Sequence, residues 1–433
     1  MNESQQSFTT SFGRTIKFVP GHIEFVKKTI GLREQEARDL REACANNVKG
    51  QENLDYKKIR EEFKGHKKSL SLKGYAARFS RVYIFMELAR NTNIQFPFKK
   101  SLDVGCGNAI QPRIMKGLGL VKESVGIDLW DRATILDEEN LTKQHRRLYR
   151  FKVSESIHKY LAAIPREKRK EWHKAVLNRL HSPRIAAQQY VGWMPDSDYY
   201  RQKIVNSFTL DRFIAGNIFE LREKFDLITS FASLEWFEMN SILEKISDLL
   251  EVGGIFYVSV PHWWCSVNTT ALAGHFPYAC QRLTKEDFFR YVEEFFSEYS
   301  DAMKVAYGYF DANHPTRSDY INCGFKHGLV PLAYYSHVLP DPFSLKYGIS
   351  PRGYFDYDHK VIDEVLEDIH CFRPDIRRED LLCRTNTIIF RKVDKEQQIN
   401  KDKLEDVFND LKVQTDAIHP LLKRLYRIYE RMR

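Results

Sequence analysis

The sequence predicts an α/β protein built on a mostly parallel sheet, and three observations carry that expectation. A short strand, Lys99–Val104, runs straight into the glycine turn Gly105-Cys106-Gly107-Asn108-Ala109 and then into a helix. A second strand follows and ends on an acid, Asp128, which completes a strand–turn–helix–strand unit. Strand and helix patterns then alternate again from 212 to 296.

Composition agrees. Of 433 residues 43% are apolar and 29% charged, which is globular rather than disordered. The apolar run Gly254–Cys265 is broken by Ser259, Pro261 and His262 and is shorter than the roughly 20 residues of a membrane helix. No basic and apolar leader marks the N-terminus, and the seven scattered cysteines contain no CxxC pair. These features point to a reducing cytoplasm, without a disulfide framework or a zinc site. The net charge of +9 is uneven: residues 1–100 carry +9, 129–212 carry +7 and 213–394 carry −9. The basic segments could attract nucleic acid or an anionic sugar, although interleaved acids also suit an ordinary solvated surface.

Taken in order, residues 22–65 read as helix, 64–73 as a basic linker and 74–92 as an amphipathic helix carrying Phe79, Val82, Phe85, Met86 and Leu88. The first strand is followed by a helix from about Gln111 to Leu118 with Pro112 in its first turn, where a missing N–H costs nothing. The second strand is Ser124–Ile127. Residues 129–212 interrupt the alternation with basic, mostly helical sequence. Arg212–Asn217, Phe225–Ser230 and Ile255–Val260 read as further strands, and Ser241–Leu250 and Thr284–Phe296 as helices. Thr284 and Asp287 nearly match a capping box. The Tyr-, His-, Pro- and Gly-rich stretch 300–380 reads as a second insertion, Thr387–Arg391 as a last strand and 395–431 as a helix. The expected units are therefore a helical N-terminal arm over 1–97, an α/β domain over 98–394 with insertions at 129–212 and 300–380, and a C-terminal helical segment over 395–433.

The turn carries the chemistry. Its spacing, G-x-G-x-A, is too short for a dinucleotide fingerprint. Asp103, two residues ahead of Gly105, would repel a pyrophosphate and suit a ligand bearing an ammonium group. Glycines allow close approach, and the helix start offers free N–H groups.

The stretch LDVGCGNA resembles the first motif of the class I S-adenosylmethionine-dependent methyltransferases, with Ala109 in the place of the third glycine. The resemblance extends over about 101–128 and 212–296, plus the strand near 388. It implies a Rossmann-like sheet and S-adenosyl-L-methionine as cofactor. It further implies that Asp103, Gly105, Cys106 and Gly107 wrap the methionine part and that Asp128, with Leu129, binds the ribose hydroxyls. Asn217, where the family most often has Asp, and Ile218 would meet the adenine, and Phe231 would lie beside the cofactor. Arg81, on the helix before the first strand, would bind the cofactor's carboxylate.

Methyl transfer to a hydroxyl also needs alignment and a base. Candidates beyond the fourth and fifth strands are His262, whose imidazole titrates near neutrality, His275 on a loop that could close over substrate, and Glu235. Trp263, Trp264 and Tyr278 could wall an acceptor site. No spacing demands a metal. Two insertions over the carboxyl edge of the sheet favour a lidded pocket and a small molecule or saccharide as acceptor of O-methylation. Ser230-Phe231-Ala232-Ser233 lacks the motif usual in enzymes that methylate base amines. An RNA acceptor gripped by the basic arm, or a non-catalytic nucleoside-binding scaffold, are the alternatives. Apolar positions from Leu404 to Ile428 could form a homo-oligomer seam.

Overall fold

The computed structural model describes residues 7–18, 23–24, 27, 72–129, 139–144, 208–261, 263–264, 279–301, 303–304, 314–338 and 359–394. Most of the expected helix over 22–65, most of 129–212, His262, the loop bearing His275 and Tyr278, and the segment 395–433 lie outside the described residues.

Seven strands form the expected sheet. They are β3 (Phe98–Val104), β4 (Val121–Asp128), β5 (Arg212–Ala215), β6 (Phe225–Phe231), β7 (Leu250–Pro261), β8 (Leu329–Val338) and β9 (Cys383–Lys392), in the order β5-β4-β3-β6-β7-β9-β8. Only β9 runs against its neighbours. Strands β3, β6 and β7 are buried along nearly all of their C-terminal halves, the mark of parallel strands covered on both faces. Asp226 fixes the β3–β6 register, accepting from the Lys99 and Lys100 amides at 2.6 and 2.8 Å.

The chain lays down β3, β4 and β5 outward in one direction, then crosses back to place β6 and β7 on the other side of β3. The switch point therefore lies between β3 and β6, and ligands bind outside the carboxyl ends of strands at such a point. Helices α1 (Leu72–Asn91), α2 (Ile110–Gly117), α3 (Met239–Leu249) and α6 (Arg317–Lys326) complete the main core with this sheet. Tyr257 on β7 donates to the Arg81 carbonyl on α1 at 2.8 Å, tying that helix to the sheet.

A second core gathers a hairpin of β1 (Ser7–Thr9) and β2 (Thr15–Lys17) with Trp263, Trp264, α5 (Lys285–Phe295), α7 (His359–His370) and α8 (Arg378–Leu382). The short helix α4 (Ala279–Arg282) packs on α7.

Three details differ from the sequence reading. The arm 1–97 is not helical throughout, because Phe8, Ile16 and Phe18 alternate inward and make residues 7–18 a docked hairpin. The stretch 300–380 contributes a strand to the sheet, β8, beside β9, with α6 packed on it. The near-capping box at Thr284 is half used. Thr284 Oγ1 accepts from the Asp287 amide at 3.1 Å, but the Asp287 carboxylate turns to Ser11, taking its amide at 3.0 Å and its hydroxyl at 2.8 Å.

Candidate functional site

The glycine turn sits at the carboxyl end of β3, where the sheet order reverses. Gly105 (φ +63°), Gly107 (φ +53°) and Ala109 (φ +51°) are all left-handed. A Cβ on Gly105 would lie 2.4 Å from that of Ser233, so this glycine is required by contact as well as by φ. Among the described residues a Cβ on Gly107 would meet nothing within 4 Å, so that side of the turn is open to a ligand approaching the backbone. Ala109 has no such freedom, and an alanine at this φ costs roughly 1–2 kcal/mol. Ala232, just past β6, is a second strained alanine at φ +57°. Strain of this kind collects at functional sites.

Strand β4 delivers Asp128 to the turn. Its Oδ2 accepts from the Gly107 amide at 2.7 Å, so the acid expected to bind ribose also holds the loop in shape. The Gly216 amide donates to the Asp128 carbonyl at 3.1 Å, which places β5 and the following turn beside it. Asn217 then caps the 3-10 turn Ile218–Glu220, its Oδ1 accepting from the Phe219 amide at 3.1 Å. A carbonyl oxygen has two lone pairs, so this cap does not exhaust it. Ile218 is buried and Leu129 half-buried.

Asp103 pairs in register with Gly126 of β4 and Thr229 of β6 and is buried. Burial pushes its carboxyl up to about 7, and the Asp128 charge pushes the same way. The Thr229 hydroxyl, donating to Oδ1 at 2.6 Å, and the nearby Arg81 guanidinium oppose them. A cation brought against Asp103 would tip it to the carboxylate. The Cys106 thiol, buried beside both acids, is held well above its ordinary value and is not a nucleophile.

Beyond β6 the chain turns sharply through Ala232, whose amide donates to the Ser259 carbonyl at 2.7 Å. The Ser233 hydroxyl donates to the Val104 carbonyl at 2.7 Å and lies 2.6 Å from the Ser230 hydroxyl, locking this turn against the glycine loop. The sequence reading did not foresee Thr229, Ser230 or Ser233 in these roles, because only the strand register brings them to β3. Phe231 is almost wholly buried and packs edge-on against Tyr257, with 5.4 Å between ring centroids. Glu235 lies in the 3-10 turn Leu234–Trp236. Its Oε2 is buried with no hydrogen-bond partner among the described residues, and burial raises its carboxyl to about 7 while Arg81 opposes the shift. Glu235, Asp103 and Arg81 therefore share one electrostatic neighbourhood.

Of the suggested aromatic wall, Tyr278 lies outside the described residues and both tryptophans pack in the second core. Trp264 is buried in the second core, with its Nε1 donating to the His314 carbonyl at 3.1 Å and the Arg373 guanidinium 5.0 Å from its ring centroid. Trp263 stacks flat on His314 at 4.0 Å. Of the candidate bases only Glu235 is among the described residues. No group of three or more His, Cys, Asp or Glu there could hold a metal ion, and no helix there is long and apolar enough to cross a membrane.

No family model and no curated protein matches the chain. Similar solved structures include the plantazolicin methyltransferase BpumL in complex with SAH, at 11% identity and TM-score 0.33 over 84% of this chain and 100% of that one. Another is the geranyl diphosphate C-methyltransferase from Streptomyces coelicolor, at 12% identity and TM-score 0.33 over 72% and 76%. A third is the cyclopropane synthase MmaA2 from Mycobacterium tuberculosis, at 12% identity and TM-score 0.32 over 71% and 84%. Likenesses this distant assign no residue here; the strand order and the turn geometry stand without them.

Proposed function

We propose that this chain is an S-adenosyl-L-methionine-dependent methyltransferase that O-methylates a small molecule or saccharide. One observation carries the reading: at the switch point, the Gly107 amide is held on the Asp128 carboxylate while the Gly107 Cβ position stays open and Asp103 lies buried one strand away.

That donor set fits the cofactor. Asp103 and the turn Gly105-Cys106-Gly107 would hold its methionine part, with Asp103 facing the ammonium group and Arg81 the carboxylate. Asp128, with Leu129, would take the ribose hydroxyls. Asn217 and Ile218 would meet the adenine, and Phe231 would line the site. When bound, S-adenosyl-L-methionine supplies a methyl group on a positively charged sulfur. The residues of this chain must position the acceptor and remove its proton. Glu235 suits the second task, because burial raises its carboxyl to about 7, into the range a general base needs at neutral pH, and its Oε2 has no partner among the described residues. His262 and His275 remain candidates beside it.

The test is a cofactor-turnover assay across sugars, alcohols, phenols, carboxylates, amines and RNA, run beside calorimetry with S-adenosylhomocysteine. The reading expects micromolar-range binding, and turnover on a hydroxylated small acceptor. Binding without turnover on any class would favour a scaffold, and steeply salt-dependent turnover on RNA would move the acceptor assignment there.

A further inference from the structure

Lys245 is out of character where it stands. It lies on α3 and is 7% exposed, beside Ile242, Ile246 and Leu249 of the same helix, which are buried in the main core. A lysine is seldom buried unless its ammonium is paired, and an apolar side chain of the same size would bury at less cost. Burial and the nearby Arg222 and Lys224 charges hold this ammonium below its ordinary range, with Asp248 opposing them. What the ammonium does is donate to the Leu221 carbonyl at 2.6 Å. Leu221 closes the 3-10 turn Ile218–Glu220, its amide donating to the Ile218 carbonyl at 3.1 Å, and Asn217 opens the same turn. Phe219 in that turn also packs edge-on against Phe237, just ahead of α3, with 6.3 Å between ring centroids. The turn is thus gripped at two points, by α3 and by the residue leading into it.

We infer that Lys245 is a positioning residue for purine selection: by fixing the turn it fixes the side-chain amide of Asn217, and so makes the site take a 6-amino purine over a 6-oxo one. The inference rests on the methyltransferase reading above, in which Asn217 meets the adenine. An asparagine amide can turn either its oxygen or its NH2 to a ligand. Here the choice is set within the chain. The Phe219 amide donates to Asn217 Oδ1 at 3.1 Å, so the oxygen stays on that side. Turning the amide over would set its NH2 against the Phe219 N–H, donor against donor. With the oxygen held, the exocyclic amine of adenine finds an acceptor in its second lone pair. The 6-oxo group of hypoxanthine would meet lone pair with lone pair. This selection lasts only while the Phe219 amide keeps its place, and that amide lies inside the turn that Lys245 ties to α3. Mispaired polar groups are what let a site reject a close analogue.

The test measures binding of S-adenosylhomocysteine and of its 6-oxo analogue, S-inosylhomocysteine, to the full chain by calorimetry. The unsubstituted chain is expected to bind the adenosyl compound at least about tenfold more tightly. Lys245→Met and Lys245→Leu fill the same buried space without the donor, so both are expected to fold, and thermal melts check that they do. In each the preference should fall to about threefold or less. The ratio is the readout because a general loosening would weaken both compounds alike. Lys224→Met is the control. Its ammonium donates to the Asp248 carbonyl of the same helix, but from an exposed position outside the turn, so its ratio should match that of the unsubstituted chain. An equal or reversed preference in the unsubstituted chain, an unchanged ratio in both Lys245 variants, or the same fall in Lys224→Met overturns the inference and leaves the methyltransferase reading standing. Binding of neither compound would overturn that reading, and this inference with it.

Discussion

Asp128 does two jobs with one carboxylate, and its substitution should separate them. Asp128→Ala removes the acceptor of the Gly107 amide and the proposed ribose partner together. Hydrogen bonds to a charged group contribute about 1.5–3 kcal/mol, so S-adenosylhomocysteine affinity should fall about 10- to 100-fold by calorimetry. Unchanged affinity would remove Asp128 from the site. Gly105→Ala should be worse for the fold, since its Cβ would sit on Ser233 at a φ alanine avoids. A loss of about 2–3 kcal/mol in urea unfolding is expected, partly restored by adding Ser233→Gly. The two raised carboxyls set a pH signature. Asp103 and Glu235 keep their protons to about 7 when folded, against 3.8 and 4.5 ordinarily, so unfolding releases protons between those limits. Their share of the stability is therefore fully present below about 4, falls as pH rises toward 7 and is gone above it, opposite in sign to that of Asp211, Glu223, Glu238 and Asp375, whose carboxyls are held below the ordinary range. Asp103→Asn and Glu235→Gln should each flatten that slope in denaturant titrations. Turnover runs the other way. If Glu235 is the base, the rate climbs with pH to a plateau above about 7, and Glu235→Gln leaves it low and flat. A slope that survives Glu235→Gln would pass the role to His262 or His275.

At the scale of elements, the hairpin β1–β2 is held by charges of unequal burial. Asp368 on α7 accepts from Arg14 Nε of the hairpin at 2.7 Å and from Arg282 Nε of α4 at 2.7 Å, while Arg290 of α5 lies over the Phe8 ring. Arg282 and Asp368 are each 4% exposed, and Arg14 is 39% exposed. Asp368→Ala leaves the buried Arg282 only its contact with the half-solvated Glu364 at 3.1 Å, so a cost of about 3 kcal/mol is expected, the low end for a broken buried pair. Arg14→Ala leaves Arg282 and Asp368 paired and loses a half-solvated contact, so about 1 kcal/mol or less is expected. Urea unfolding of the two variants compares them directly. Equal losses would mean that the hairpin contact, and not the buried pair, sets the strength of this layer.

For the molecule as a whole, what the sequence made legible was local. Strand β3, its turn and α2 are contiguous, so LDVGCGNA displayed the strand–turn–helix unit and the proposed cofactor loop together. Asp128, which ends β4, and Asn217, two residues past β5, were legible as candidates from the strand pattern alone. Thr229 and Ser233 were not, since their roles depend on which strand neighbours which. Strand β8 hid inside a stretch rich in turn-forming residues, and the hairpin 7–18 hid because two three-residue strands are too short for periodicity to register. The same separation yields a prediction. The hairpin belongs to the second core, whereas the switch-point site belongs to the first. Phe18 packs edge-on against Tyr291 and Phe295, and Ser11 holds Asp287, so deleting residues 1–18 uncovers one face of α5 and unties Asp368. Hydrogen exchange should quicken through 285–295 and 359–370 and stay slow in β3, β4 and β6. S-adenosylhomocysteine affinity should hold within about twofold, as expected of sites that share no partner. Loss of that affinity along with the hairpin would show that the two cores act as one unit and that the N-terminal segment is part of the site.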